Sequence, residues 1–153
     1  MSPHPVRREE CLLRITAWVD GASRGNPGPA GYGVYMATER GEVIAISGFL
    51  GTVTNNVAEY SGLIEALRAA RDEGASEVEI VSDSELLVKQ MLGQYRVKHP
   101  NLQPLYETAR SLSRTFNRFS IRHTLRAGNK EADRLANLAV DRGAGRSVER
   151  RSA

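Results

Sequence analysis

The stretch Thr16–Met36, TAWVDGASRGNPGPAGYGVYM, decides how the rest of the sequence is interpreted. Its apolar and β-branched beginning predicts a strand that ends at a single acid, Asp20. The segment behind Asp20 is rich in glycine and also holds two prolines and an asparagine. Glycine-rich segments after strands often bind phosphate, but this one lacks the lysine of a P-loop. A metal ion bound between the Asp20 carboxylate and a phosphate explains the acid at this position better than direct phosphate binding by the glycine-rich segment does.

Composition indicates one globular domain. The chain has 153 residues, of which 41% are hydrophobic and 25% are charged, and it carries a net charge of +3. This charge favours a polyanionic partner only slightly. The single cysteine excludes a disulfide framework and favours a reducing compartment, so we expect a cytoplasmic protein. No segment is apolar enough to span a bilayer, and we expect no membrane association.

Hydrophobic periodicity predicts the order of the secondary structure. Three strands come first, and helices then alternate with strands in the order βββαβααβα. This order predicts an α/β fold with a mixed sheet and helices on both faces. Residues 12–142 are expected to form the domain, with a flexible leader at 1–11 and a flexible polar tail at 143–153.

Four acids occupy the boundaries of predicted elements: Asp20, Glu59, Asp83 and Asp133. Each acid alone is typical of a turn or of a helix start. However, Asp20 and Asp83 would meet at one edge of the sheet if their strands are parallel neighbours. Glu59 and Asp133 are predicted on the inner sides of their helices. Carboxylates gathered in this way repel one another unless a cation neutralises them, and oxygen ligands suit Mg²⁺ or Mn²⁺.

The motifs around these acids resemble those of type 1 ribonuclease H. They occur in the family's order and together cover most of the chain from Leu12 to Arg142: DGASRGNPGPAGYG, TNNVAEYSGLIEAL, VSDSELLVKQM and HTLRAGNKEADRLANLA. The resemblance implies the ribonuclease H fold, with a five-stranded mixed sheet in which only the second strand is antiparallel to the rest.

The resemblance also implies an activity. The chain would be an endoribonuclease that hydrolyses the RNA strand of an RNA–DNA hybrid with two Mg²⁺ ions, for which Mn²⁺ could substitute. The products would carry a 5′-phosphate and a 3′-hydroxyl. By the family pattern, Asp20 and Asp133 would hold one ion, and Asp20, Glu59 and Asp83 would hold the other.

Substrate contacts are implied in the same way. By the family pattern, Asn26, Asn55 and Asn56 would contact the minor groove of the hybrid, and Thr54 would bind a phosphate of the DNA strand. The alternative is a purely structural role, because an Asn-Pro-Gly sequence favours a turn and Thr54 or Asn55 can cap a helix.

The sequence departs from the family pattern in three places. Glu85 stands where relatives often have a glutamine, the connection GQYRVKHPNLQP is too short for the basic handle of many members, and the loop RAGNK lacks the usual histidine. In that loop, Arg126 could pull the 5′-phosphate product away from the site through a bidentate contact. The alternative is that Arg126 is an ordinary solvated arginine.

Two other functions fit the same motifs. One is another enzyme of this fold, such as a nuclease that acts mainly on double-stranded RNA or a reverse-transcriptase-associated domain. The other is a hybrid-binding module without catalysis. Four intact acids argue against the second alternative, because binding a polyanion gains nothing from repelling carboxylates. The sequence predicts a monomer.

Overall fold

The computed structural model describes residues 12–152. Six strands, four helices and a 3₁₀ turn follow one another along this range: β1 (Arg14–Ser23), β2 (Gly28–Thr38), β3 (Glu42–Val53), α1 (Asn55–Asp72), β4 (Glu77–Ser82), α2 (Glu85–Met91), α3 (Gln103–Ser113), β5 (Arg118–His123), the 3₁₀ turn (Arg126–Asn129), α4 (Lys130–Arg142) and β6 (Arg146–Ser152). The leader predicted at 1–11 lies outside the described residues. Leaving the 3₁₀ turn aside, the first nine elements are the nine that the sequence predicted, in the same order.

One mixed sheet organises the molecule. Its strand order is β5-β4-β1-β2-β3-β6. Strands β1, β4 and β5 are parallel, whereas β2 is antiparallel to both β1 and β3. Among the first five strands only β2 therefore runs against the others, which confirms the predicted mixed sheet of the ribonuclease H fold.

The sixth strand corrects the predicted strand count of five. Residues 146–152 pair antiparallel with β3, in the segment where the sequence predicted a polar tail without regular structure. Two arginines of β6 tie it to α1 and to the C-cap of that helix, since Arg146 lies 2.6 Å from Glu65 and Arg150 lies 2.6 Å from Glu73. The strand thus depends on partners that are remote in sequence, and its own residues show no alternation of apolar and polar side chains.

Strand β1 also differs from its predicted end at Asp20, because it continues to Ser23. Gly21 remains in the strand and lies directly against α1, where a β-carbon would come within 2.4 Å of the Ala58 carbonyl carbon. Only a residue without a side chain allows the helix to approach so closely. The glycine therefore serves packing rather than a turn, and the connection to β2 is confined to residues 24–27.

Helices cover both faces of the sheet, as the sequence predicted. On one face, β1 contributes fully buried side chains to the main core, together with residues of α1 and α3: Ile15, Ala17, Val19, Leu63, Leu67 and Ala109. On the other face, α4 lies against Gly31 and Gly33 of β2. This packing fixes α1 and α4 on opposite sides of the end of β1, where Asp20 is located.

None of the helices within residues 12–152 combines the length and apolarity that a bilayer crossing needs.

Candidate active site

A cleft opens at the carboxyl ends of β1 and β4. These strands are parallel neighbours, and Val19 pairs with Ser82, so the following residues Asp20 and Asp83 emerge side by side. The cleft has a volume of about 710 Å³, and its walls include Glu59 and Asp133 as well. The structure therefore brings all four predicted acids to one site, at the edge where open α/β sheets bind ligands.

Three of these acids form a compact group. Carboxylate oxygens of Asp20, Glu59 and Asp83 all lie within 4.8 Å of one another. Asp20 is only 5% exposed and Glu59 only 6%, whereas Asp83 is half-buried. Burying two carboxylates beside a third is costly unless a cation or protons neutralise them.

Glu59 is held by the backbone of β1. Its Oε1 atom accepts a hydrogen bond of 2.8 Å from the Gly21 N–H. The close approach of α1 at Gly21 makes this contact geometrically possible. At the start of α1, Thr54 acts as the N-cap, because its side-chain oxygen accepts a hydrogen bond of 3.3 Å from the Val57 N–H. The predicted cap is thus confirmed, and it fixes the first turn of α1, directly before Glu59.

Asp133 completes the group from the opposite side of the sheet. It lies in the first turn of α4, is half-buried, and lines the same cleft as Asp20, whose pKa it helps to raise. Asn137, one turn further along α4, donates a 3.3 Å hydrogen bond from Nδ2 to the Asp133 Oδ1 atom. Asp133 therefore extends the three-acid group through Asp20.

The electrostatics of the cleft favour proton or cation uptake. Burial, followed by the negative charges of Glu59 and Asp83 and then by Asp133, raises the pKa of Asp20 to about 9. Burial and the charge of Asp83 raise the pKa of Glu59 to about 8, although the Gly21 N–H acts in the opposite direction. Both groups thus resist ionisation in the folded protein when no cation is present.

This donor set fits Mg²⁺ or Mn²⁺. The grouped side chains offer only carboxylate oxygens, which these hard cations prefer. A divalent cation would also remove the repulsion that raises the pKa of Asp20. The site can therefore hold a metal through the residues that the sequence singled out.

The predicted substrate-binding residues lie at the rim of the cleft. Asn55 lines it, and the exposed Asn56 is the next residue of α1. Asn26, in the β1–β2 connection, accepts a 3.0 Å hydrogen bond at Oδ1 from the Asn55 N–H. Three asparagines from two separate segments are thus joined at the start of α1.

Arg126 also lines the cleft. It is exposed and opens the 3₁₀ turn, and His123 lies on the same wall at the end of β5. The sequence analysis missed Asn137. The only indication of its role is that it follows Asp133 by four residues, which places the two side chains next to each other on a helix. It also missed Ser84, which lines the cleft and caps α2 by accepting a hydrogen bond from the Leu87 N–H.

Comparison with known proteins agrees with this geometry. A family described as reverse transcriptase-like matches residues 18–139. The bifunctional protein Rv2228c of Mycobacterium tuberculosis is 47% identical over 131 residues, which are 84% of this chain and 36% of that protein. Ribonuclease HI of Halobacterium salinarum is 45% identical over 129 residues, which are 84% of this chain and 65% of that protein. The chain thus spans about a third to two thirds of the length of these relatives.

Solved structures agree as well. The structure of the Halobacterium salinarum RNase H1 superimposes with a TM-score of 0.81 at 43% identity, covering 84% of this chain and 98% of that chain. LC11-RNase H1, solved in complex with an RNA/DNA hybrid, gives a TM-score of 0.78 at 40% identity and covers 84% of this chain and 97% of that chain. Together with the family match over residues 18–139, these likenesses show that the chain belongs to the type 1 ribonuclease H family.

Proposed function

We propose that the protein is an endoribonuclease that hydrolyses the RNA strand of RNA–DNA hybrids. The observation that carries this proposal is the group of carboxylates at Asp20, Glu59 and Asp83, within 4.8 Å of one another and joined by Asp133. The hybrid bound to LC11-RNase H1 supports the choice of substrate. We further propose that the protein is a monomer located in the cytoplasm, and its single cysteine supports the location.

The four acids would hold two Mg²⁺ ions, with Mn²⁺ as a substitute. Bound divalent ions supply Lewis acidity, activate water and stabilise the charge on the leaving oxygen. Asp20 is the central ligand in this proposal, because its carboxylate interacts with the other three acids. The Gly21 N–H keeps Glu59 oriented toward Asp20, so that little reorganisation is needed when a cation binds.

The rim residues would position the hybrid. Thr54 already accepts a hydrogen bond at its side-chain oxygen, and its hydroxyl proton remains available for donation to a phosphate of the DNA strand. Asn26 uses Oδ1 for the contact with Asn55, and its Nδ2 donors suit acceptors in the minor groove. Asn55 and Asn56 would extend this contact along the groove, where 2′-hydroxyl groups identify the RNA strand.

Product release would involve Arg126. Its guanidinium group cannot transfer a proton near neutral pH, but it can form a bidentate contact with the 5′-phosphate of the product. Its place on the wall of the cleft supports this role. The second product would end in a 3′-hydroxyl group.

One experiment separates this function from its alternatives. A labelled RNA–DNA hybrid, a double-stranded RNA and a DNA duplex of the same sequence are incubated with the protein, with and without Mg²⁺. We expect cleavage of the RNA strand of the hybrid alone, and only with Mg²⁺. Asp20→Asn should abolish cleavage while hybrid binding stays within a few-fold, because the phosphate contacts remain. The exposed Glu107 on α3 provides a matched control, and Glu107→Gln should cleave normally.

Each other outcome has a clear meaning. If double-stranded RNA were cleaved at a rate comparable to that of the hybrid, the proposed specificity for RNA–DNA hybrids would be wrong. Tight hybrid binding without cleavage in saturating Mg²⁺ or Mn²⁺ would identify a binding module instead. If Asp20→Asn retained more than about a tenth of the rate, the assignment of Asp20 as the central metal ligand would be wrong.

A further inference from the structure

We propose that Asn137 and Arg24 form a relay that positions Asp133 for cation binding. The inference rests on the proposed metal site but assigns a role to two residues outside the four acids. Neither residue is a metal ligand in this proposal. Asn137 acts on the Asp133 carboxylate, and Arg24 acts on the Asn137 amide.

The first step is the contact between Asn137 and Asp133. The Nδ2 atom of Asn137 lies 3.0 Å from the Asp133 backbone oxygen and 3.3 Å from its Oδ1 atom. The bond to the backbone anchors the amide on α4, and the bond to Oδ1 then restrains the rotation of the carboxylate. Asp133 needs this restraint, because it is half-buried and faces the repulsion of the buried Asp20.

The second step concerns the orientation of the Asn137 amide. An asparagine can turn either its oxygen or its nitrogen toward a neighbour, and the opposite orientation would place two acceptors, Oδ1 of Asn137 and Oδ1 of Asp133, against each other. The Nη2 atom of Arg24 lies 3.4 Å from the Asn137 backbone oxygen and 3.5 Å from its Oδ1 atom. Because a guanidinium group only donates, it selects the orientation in which Oδ1 faces Arg24 and Nδ2 faces Asp133.

The third step is the anchoring of Arg24 itself. Its Nη2 atom forms a 2.6 Å ion pair with Asp141, one turn beyond Asn137 on α4. Arg24 belongs to the β1–β2 connection, which also carries Asn26. The relay therefore joins the segment that is proposed to touch the hybrid to the acid at the far side of the metal site.

Cation binding by the protein without nucleic acid tests the relay. Mn²⁺ is titrated into the apo protein, and free Mn²⁺ is measured by electron paramagnetic resonance. We expect Asn137→Ala to weaken Mn²⁺ binding by about tenfold, at the lower end of the losses that follow when a residue orienting a metal ligand is removed. Asn137→Leu, which keeps the side-chain volume but has no donor, should behave alike. Asn117→Ala, at an exposed asparagine between α3 and β5, serves as the matched control and should bind normally.

Two double variants distinguish positioning from general structural damage. In an Asp133→Asn background, Asn137→Ala should change Mn²⁺ affinity by less than about twofold, because its target is already lost. Arg24→Ala should weaken binding by about two- to fourfold alone but add nothing to Asn137→Ala. Thermal melting in EDTA should show that these single variants remain folded.

The opposite results would overturn the proposal. An effect of Asn137→Ala that persists in the Asp133→Asn background would mean that Asn137 does not act through Asp133. Additive losses from Arg24→Ala and Asn137→Ala would show that Arg24 acts independently of the amide. If the relay behaves as expected but the hybrid is not cleaved, only the proposed activity fails, because Mn²⁺ binding is measured without any nucleic acid.

Discussion

The substitution Glu59→Gln should stabilise the metal-free protein. Glutamine keeps an Oε1 atom that can accept the hydrogen bond from the Gly21 N–H, and it removes the charge beside Asp20 and Asp83. Burial and the charge of Asp83 raise the pKa of Glu59 from 4.5 to about 8 in the folded protein. Between these two values the folded state binds more protons than the unfolded state, so stability falls as the pH rises through this window.

The size of the effect follows from the same shift. One pKa unit corresponds to about 1.4 kcal/mol. At a pH near 7.5, about three units above the ordinary pKa of glutamate, the cost of keeping Glu59 in the folded protein is therefore at most roughly 4 kcal/mol. Water penetration and local relaxation reduce such values, and we expect Glu59→Gln to raise the free energy of unfolding by about 1 to 3 kcal/mol near pH 7.5. The gain should fall toward zero near pH 4.5, where unfolded glutamate is half protonated.

Denaturant unfolding in EDTA at several pH values measures this difference. Glu107→Gln, at an exposed position on α3, is the matched control and should show no gain. Saturating Mg²⁺ should reduce or reverse the advantage of Glu59→Gln, because the cation stabilises only the protein that keeps all its ligands. If Glu59→Gln were less stable than the wild type in EDTA at every pH, the carboxylate would be stabilising in the apo protein and the electrostatic argument would be refuted.

Three further predictions concern other parts of the molecule. Arg126→Ala should lower turnover on the hybrid about tenfold with little change in KM, with partial recovery by Arg126→Lys, whereas a rise in KM alone would show that Arg126 only attracts the backbone. Gly33→Ala would place a β-carbon 2.2 Å from the Ala132 oxygen on α4. Denaturant unfolding should then show a loss of about 3 kcal/mol, against a smaller loss of about 1 kcal/mol for Gly41→Ala, where a β-carbon meets nothing within 4 Å and only the φ of +89° disfavours alanine; equal losses would contradict this reasoning. Deletion of residues 146–153 removes the ion pairs of Arg146 with Glu65 and of Arg150 with Glu73. It should lower the melting temperature, with a cost of up to about 2 kcal/mol from these two pairs, and an unchanged melting temperature would mean that β6 contributes no stability.

Local sequence patterns were sufficient for most of the fold. The apolar spacing around Leu63 and Leu67 predicted α1, and the β-branched run before Asp83 predicted β4. The positions of the four acids followed because each stands in a motif at the end or start of such an element. Asp20 and Asp83 converge because β1 and β4 are parallel neighbours, which the sheet confirms, and the packing of α1 and α4 on the two faces of the sheet brings in Glu59 and Asp133.

The remaining features depend on contacts between distant residues. β6 has a charged, polar sequence without the alternation that predicts a strand. It pairs with β3, which is remote in sequence, so the pattern of its own residues does not predict it. The strand predicted to end at Asp20 continues to Ser23, and Gly21 within it packs directly against α1. The contact of Arg24 with Asn137 spans 113 positions, so no spacing rule within one motif could have predicted it.

The course of β6 also determines where the described chain ends relative to the cleft. Ser152 pairs with Glu42 at the beginning of β3, and Arg14 pairs with Glu77 at the beginning of β4. Both ends of the described range therefore lie at the sheet edge opposite the carboxyl ends of β1 and β4. A surface linker or an affinity tag joined at Leu12 or Ser152 would leave the molecule on the side away from the cleft, so the described domain is suited to immobilisation with its carboxylates facing outward.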